Sequence, residues 1–408
     1  MPATQATSTA PRRGTPFEVF GVFLRLGVTS FGGPIAHLGY FRDEVVARRR
    51  WLSDKEYADL VALCQFLPGP ASSQVGFGIG LFRAGALGAA AAFLAFTLPS
   101  AMLMVAFAYG ASFFGGVVGE GALAGLKIVA VAIVAQAVWG MAKTLTPDRQ
   151  RAAIAVIAAI AALLLAGSMG QIVAIVVGAL AGLVFCRSQA GPLERMITFP
   201  VARAVGLACL VGFAVLLFGL PVLARIAGND TVTLFDAFYR AGALVFGGGH
   251  VVLPLLDAEM VGPGWVSSDQ FLAGYGAAQA VPGPLFTFAA YLGAVSQVGP
   301  GGILGAAVAL VAIFLPGFLL LVGVLPFWNG LRSRAGAQAV LRGANAAVVG
   351  ILGAALYDPV FTTAVTGPGP FVLALLCFVL LVSWKLPPWV VVLVGAAGGV
   401  VLSLAGLR

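Results

Sequence analysis

The stretches CQFLPGP, residues 64–70, and AQAVPGP, residues 278–284, carry the same helix-breaking tripeptide inside apolar sequence, each at the same interval after a tryptophan, Trp51 or Trp265. Superposing the two tripeptides pulls the whole chain into register. Phe20, Phe23, Arg25 and Gly27 fall on Phe235, Phe238, Arg240 and Gly242. The FGG of residues 31–33 falls on that of 246–248, Glu44 on Glu259, and Gln65 on Gln279. Further on, Leu98 and Pro99 fall on Leu315 and Pro316, and Leu123 and Gly125 on Leu341 and Gly343. An ordered series with a slowly drifting offset is an internal duplication, not chance. The expected organisation is a tail at 1–16, a first repeat at 17–187, a linker at 188–232 with one apolar span, and a second repeat at 233–408.

Composition sets the class. Of 408 residues, 60% are hydrophobic and only 9% are charged, against about 25% charged in a soluble domain. Apolar runs of about 20 residues recur throughout, so the fold expected is an all-α polytopic membrane protein. The four cysteines are isolated and there are two histidines, so no disulfide framework, metal centre or cofactor is expected. The tail is polar and Pro-rich and lacks the apolar core of a cleavable signal; it reads as a disordered cytoplasmic segment. The net charge of +8 is assigned to basic cytoplasmic loops facing a lipid bilayer rather than to nucleic-acid binding.

Charge also sets orientation. The first repeat has FRDEVVARRRW at 41–51, whereas the matching stretch of the second, LDAEMVGPGW at 256–265, has no base, and no Lys or Arg occurs between Arg240 and Arg332. One structural position is basic in one half and acidic in the other, the pattern of inverted-topology repeats. Spans at 86–111, 121–143, 152–167 and 170–186 carry the first half across and back twice, and 199–226 crosses once more. Arg12, Arg13, Arg48–Arg50 and Arg83 then share the cytoplasmic side only if 17–41 and 52–82 each enter and leave on that side. The PGP and FGG motifs are thus read as tips of re-entrant helical hairpins, where Pro removes a donor and Gly permits the turn. The competing reading is a proline kink in an ordinary span.

A hairpin tip offers a helix N-terminus and free N–H groups to an anion at membrane depth. Candidate substrate-binding groups are Gly32 and Gly33, Gly247 and Gly248, Pro68, Gly69 and Pro70, and Pro282, Gly283 and Pro284. Ser72 and Ser73 follow the first PGP, Thr287 follows the second, and Gln65 and Gln279 precede them. Arg25 and Arg240 lie within apolar segments, and a guanidinium fork suits an oxyanion. Their competing role is ion pairing, of Arg25 with Glu18 or Arg240 with Asp236. Lys127, matched by Asn345, is a third candidate, or a lysine reaching an interface. His37, His250, Glu44 and Glu259 are candidates for coupling or gating. Trp51 and Trp265 start WLSD and WVSSD, each an interfacial Trp followed by a Ser/Asp helix cap.

FxxFxRxGxxxFGG, W-[LV]-S and QxxPGP, each present twice, resemble the two-domain members of the chromate ion transporter family over nearly the whole chain. The resemblance implies a carrier in the bacterial inner membrane that exports chromate and confers chromate resistance. It carries over Arg25, Gly32, Gly33, Pro68, Gly69 and Pro70, with mates Arg240, Gly247, Gly248, Pro282, Gly283 and Pro284. Pro34 of the first FGGP becomes Gly249, so the tips are not equivalent. Sulfate has the shape and charge of chromate and is an alternative substrate, and a lipid-phosphate flippase is an alternative carrier. A channel is a further alternative. An enzyme is not expected, since there is no HExxH, GxSxG or paired-Asp motif. A homodimer is compatible with the sequence, which sets no oligomeric state.

Overall fold

The computed structural model describes residues 14–110, 116–165, 167–187, 199, 201–331 and 334–407. Residues 1–13 of the tail expected at 1–16, with Arg12 and Arg13, most of the loop before the linker span, and Arg332 lie outside them. The described chain is an all-α polytopic membrane protein. Six of its helices are long and apolar enough to cross a bilayer.

The first repeat runs through α1 (Pro16–Thr29), α2 (Gly33–Arg42), α3 (Asp54–Phe66), α4 (Ala71–Gly110), α5 (Gly116–Leu145), α6 (Arg149–Leu164) and α7 (Gly167–Phe185). The connecting helix is α8 (Arg203–Ala227). The second runs through α9 (Asp230–Ala243), α10 (Val252–Leu256), α11 (Ser268–Ala278), α12 (Phe288–Val295), α13 (Gly302–Val324), α14 (Trp328–Leu331), α15 (Ala335–Ala355), α16 (Thr362–Ala364), α17 (Pro368–Val382) and α18 (Pro388–Leu404). The repeats share local signals as well as order. Ser53 caps α3 in a capping box with Glu56, and Ser267 caps α11 in one with Gln270, which is the role expected after each tryptophan.

Helix α4 is two helices joined by a sharp reversal. Ala84 and Gly85 leave helical geometry, with Gly85 at φ +65°. The chain doubles back there, because a Cβ on Gly80 would strike the backbone of Gly88. Those residues would be about 12 Å apart along a straight helix. The same doubling brings Gly293 of α12 against Gly305 of α13. Each repeat therefore has a hairpin closed at its base. In the first, the Gly14 amide donates to the Arg83 carbonyl at 3.0 Å, and Glu18 pairs with Arg83 at 3.2 Å and Arg49 at 3.7 Å. Both guanidinium groups lie over the Trp51 ring, at 5.0 and 5.4 Å. The second base uses backbone instead: the Gln297 amide donates to the Trp265 carbonyl at 3.0 Å.

The two repeats interlock through small residues. Gly121 and Gly125 of α5 seat against Gly399 and Gly395 of α18, and Gly343 of α15 seats against Gly178 and Gly182 of α7. Close backbone approach through glycine is how apolar helices gain packing where lipid offers no hydrophobic drive. Gly125 and Gly343 are repeat mates, so each half lends its long central helix to the other half's terminal pair. The terminal helices α6, α17 and α18 have 16, 15 and 17 residues, about 23–26 Å at 1.5 Å per residue. That is less than a full hydrocarbon thickness of about 30 Å.

The halves differ at one face. In the second, α8 packs on α9, and the Tyr239 hydroxyl donates to the Phe213 carbonyl of α8 at 3.1 Å. In the first, the mate of Tyr239 is Leu24, which stays exposed with Phe17, Phe20 and Val28 along one stripe of α1.

Candidate functional site

The four tips meet, and each half holds the tip of the other. The Gly69 amide donates to the carbonyl of Val245, the residue before the second FGG, at 2.7 Å. The Gly283 amide donates to the carbonyl of Ser30, the residue before the first FGG, at 2.9 Å. Ser30 and Val245 are repeat mates, as are Gly69 and Gly283. All six tip glycines have left-handed φ: +102° and +77° at Gly32 and Gly33, +122° at Gly69, +76° and +141° at Gly247 and Gly248, and +93° at Gly283. A side chain there is strained whatever space surrounds it. Pro34 packs directly on Gly249, whose missing Cβ makes the room. The Pro-to-Gly departure between the repeats is therefore a fit between them.

The next layer closes the same seams with unlike donors. Gln74 Nε2 donates to the Pro68 carbonyl at 3.0 Å and to Gly317 of the other half at 2.9 Å. At the other tip, the Ser100 hydroxyl of the first half donates to the Pro282 carbonyl. Thr287 is buried and its hydroxyl returns to the Pro284 carbonyl at 2.8 Å.

The first repeat's tip is rich in polar groups without protein partners. Ser30, His37, Ser72, Ser73, Gln74 and Thr97 are all at most 3% exposed. Among the described residues, Ser30 Oγ, His37 Nε2, Ser73 Oγ, Gln74 Oε1 and Thr97 Oγ1 have no hydrogen-bond partner, nor does Gln279 Nε2 in the second repeat. His37 Nδ1 lies 3.4 Å from Ser72 Oγ. Buried polar atoms are normally paired, and an unpaired group costs about 1–3 kcal/mol unless water or a ligand reaches it. A run of them beside irregular backbone makes this the candidate site for a polar occupant.

The charged candidates stand elsewhere. Arg25 is on the exposed stripe of α1 and does not pair with Glu18. Seven residues is about 10 Å along a helix, and Arg83 and Arg49 hold that carboxylate instead. Arg240 takes the pairing role: it meets Asp236 at 2.9 Å and Glu259 at 3.0 Å. Together with Arg225, Ser168 and Trp265 these line a cavity of about 390 Å³. Lys127 pairs with Asp269 of α11 at 2.8 Å and lines a cavity of about 600 Å³ with Glu120, Tyr291 and Thr366. That cavity lies to one side of the tip glycines, none of which lines it. Asn345, the mate of Lys127, does face a tip, with Oδ1 3.6 Å from where a Cβ on Gly247 would stand.

Gln65 is exposed, Gln279 half-buried. His250 Nδ1 lies 2.9 Å from the Tyr275 hydroxyl. Glu44 is held by Arg49 at 2.7 Å and Arg48 at 3.1 Å at the base of the first repeat. Its partial burial acts to raise its pKa, but these two guanidinium groups outweigh that and hold it below the usual range. Sequence reasoning missed Ser30, Thr97 and Ser100. The available signal was the TLPS run at 97–100, two hydroxyls around a proline within an apolar span.

The sequence profile of the chromate transporter family matches residues 17–183 and 232–400. The chain is 32% identical to the chromate transport protein of Pseudomonas aeruginosa, over 97% of this chain and 94% of the relative. It is 28% identical to a probable chromate transport protein of Synechococcus elongatus, over 93% of each. It is 26% identical to the chromate transport protein of Cupriavidus metallidurans, over 92% of this chain and 90% of the relative. No solved structure matches the chain. With both matched stretches carrying the FGG and PGP tips, the chain belongs to the chromate transporter family.

Proposed function

We propose that this chain is a secondary carrier that exports chromate across the bacterial inner membrane and so gives chromate resistance. Family membership supports chromate transport. The observation that carries the rest is the reciprocal bonding of tips, Gly69 to Val245 and Gly283 to Ser30, beside buried hydroxyl and amide groups with no protein partner.

In this reading the two repeats are inverted, with re-entrant tips and a cytoplasmic N-terminus, and the basic base of the first repeat faces the cytoplasm. The tip glycines, the PGP segments, Ser72, Ser73 and Asn345 contact the oxyanion. Small hydrogen-bond donors suit a tetrahedral dianion, which offers acceptors in every direction. Arg240, held by Asp236 and Glu259, and Arg225 stand at the mouth of one vestibule, where two carboxylates balance the two guanidinium groups. Alternating access arises by rocking one half against the other about the interlocked α5 and α15. An inside-negative potential favours outward movement of a dianion, by about 4.6 kcal/mol for two charges through about 100 mV. Sulfate shares the geometry and competes.

The test is chromate accumulation in cells, and uptake into inverted vesicles, for wild type, Ser73→Ala and Gly283→Ala, with and without excess sulfate. Wild type lowers cellular chromate and fills inverted vesicles, and both variants lose this at equal protein level. Wild type that leaves chromate unchanged in both assays sinks the reading.

A further inference from the structure

Behind the Arg240 vestibule lies a second cavity, of about 280 Å³, between the α6–α7 pair of the first repeat and the α10 and α15 regions of the second. Its polar lining is Asp257, Asp358 and Gln171; the remaining lining residues are apolar or glycine, and none is basic. Gln171 is 8% exposed. Its Nε2 donates to the Pro254 carbonyl at 2.6 Å, which fixes the amide orientation and leaves Oε1 as the free atom. Among the described residues that Oε1 has no partner, and neither has the buried Oδ1 of Asp257. Asp358 receives the Thr362 hydroxyl on Oδ1 at 3.0 Å, which leaves its other oxygen available. Acceptors converge here, and among the described residues no protein donor reaches Gln171 Oε1 or Asp257 Oδ1.

The backbone is broken at both carboxylates. Asp257 opens a widened turn, closed by the Gly262 amide donating to the Asp257 carbonyl at 3.1 Å. Asp358 interrupts the end of α15 with extended φ and ψ of −130° and 118°. Broken helices that present oxygen atoms are where transporters hold coupling cations. The first repeat has no equivalent: the mate of Asp257 is Arg42, which is tied to Asp54 at 2.7 Å.

We infer that Asp257, Asp358 and the Gln171 carbonyl form a binding site for one small monovalent cation, a proton or sodium, that is linked to oxyanion movement. The link is the turn Asp257–Val261 itself. Asp257 faces this cavity, Glu259 faces the Arg240 vestibule, and Ala258 lines both. A cation bound on one side biases the turn that positions the Arg240 partner on the other. Coupling rests on the carrier reading above; the cation site does not.

Two arms need no chromate. Calorimetric titration of the purified protein with NaCl, at ionic strength held with choline chloride, gives saturable heat that Asp257→Asn and Asp358→Asn abolish if sodium is the ligand. If the proton is the ligand, sodium gives no heat, and infrared titration finds a protonated carboxyl band that titrates near neutrality and is absent in Asp257→Asn. Melting curves verify that both variants fold. A folded wild type with neither signal, or variants that keep it, overturns the site. Gradients of sodium or pH across proteoliposomes then drive chromate in wild type but not in Asp257→Asn, whose chromate flux persists uncoupled. Cation binding without chromate transport in wild type refutes the carrier reading and leaves the site standing.

Discussion

The Gly69 amide donates to the Val245 carbonyl at 2.7 Å, and its repeat mate Gly283 makes the same bond to Ser30 at 2.9 Å. Two broken-helix tips from different halves thus satisfy one another's backbone. Broken backbone buried among apolar helices needs such a partner, because its surroundings offer none. The same bonds would have to break or rotate together for one half to move against the other.

The tips are therefore sensitive to a single methyl group. At Gly283 a Cβ would strike the Ser100 hydroxyl and come within 3.2 Å of the Phe96 carbonyl and 3.3 Å of the Gly27 carbonyl, at a φ of +93°. At Gly69 it would meet the Gln74 amide and the Gly317 Cα at 3.0 Å, at a φ of +122°. The left-handed conformation alone costs about 1–2 kcal/mol for an L-residue, and at Gly283 the collision with the Ser100 hydroxyl, which already bonds the Pro282 carbonyl, is added. Gly283→Ala is expected to lower the melting temperature more than Gly69→Ala, and both to lose transport. Melting curves in detergent, with a chromate assay on the same preparations, check the order.

The two matched arginines should behave differently. Arg240→Ala removes the shared partner of Asp236 and Glu259, which are 6% and 9% exposed. Leaving buried charge uncompensated costs about 3–5 kcal/mol, so Arg240→Ala is expected to reduce folded protein severely, with partial rescue by Glu259→Gln in the same chain. Among the described residues Arg25→Ala breaks no ion pair, and it should fold like wild type. Quantifying monodisperse protein for the four chains decides this, and an Arg25→Ala loss equal to that of Arg240→Ala would show that α1 is partnered.

Acid should loosen the base of the first repeat. The folded pKa of Glu44 is depressed, so its contribution to stability is fully present above the unfolded value and is lost as pH falls through the folded one. The window lies below about 4.3, the ordinary glutamate value. Wild type should lose thermal stability on going into that window, and Glu44→Gln should give a flatter acid limb with a lower plateau at neutral pH. The carboxylate is partly solvated, so the effect is modest.

Much of this was legible because a duplication prints its signals twice. The paired FGG and PGP runs, the capping serines and the absence of bases from the second base could be read without coordinates. Pairing across the duplication could not. That Gly69 reaches Val245 depends on two segments 176 positions apart. The competing reading, in which Arg25 pairs with Glu18, failed for a local reason: seven residues along one helix leave the two groups about 10 Å apart, while Arg83 returns to the same base through a hairpin. The cation cavity was invisible for the same reason as the tip contacts: Gln171, Asp257 and Asp358 come from three separate segments, and none stands out alone.

Orientation can be read from one pair of positions. Lys55 at the start of α3 and Asp269 at the start of α11 are exposed, and each follows a capping serine at the base of its repeat. In an inverted arrangement the two bases face opposite compartments. Cysteines at 55 and 269, in a chain lacking Cys64, Cys186, Cys209 and Cys377, should react with an impermeant maleimide from opposite sides. The cysteine at 55 should label in inverted vesicles, and the cysteine at 269 in intact spheroplasts. Labelling of both from one side would make the repeats parallel. The tips would then enter from the same face, and the reciprocal bonds would join two hairpins lying side by side rather than end to end.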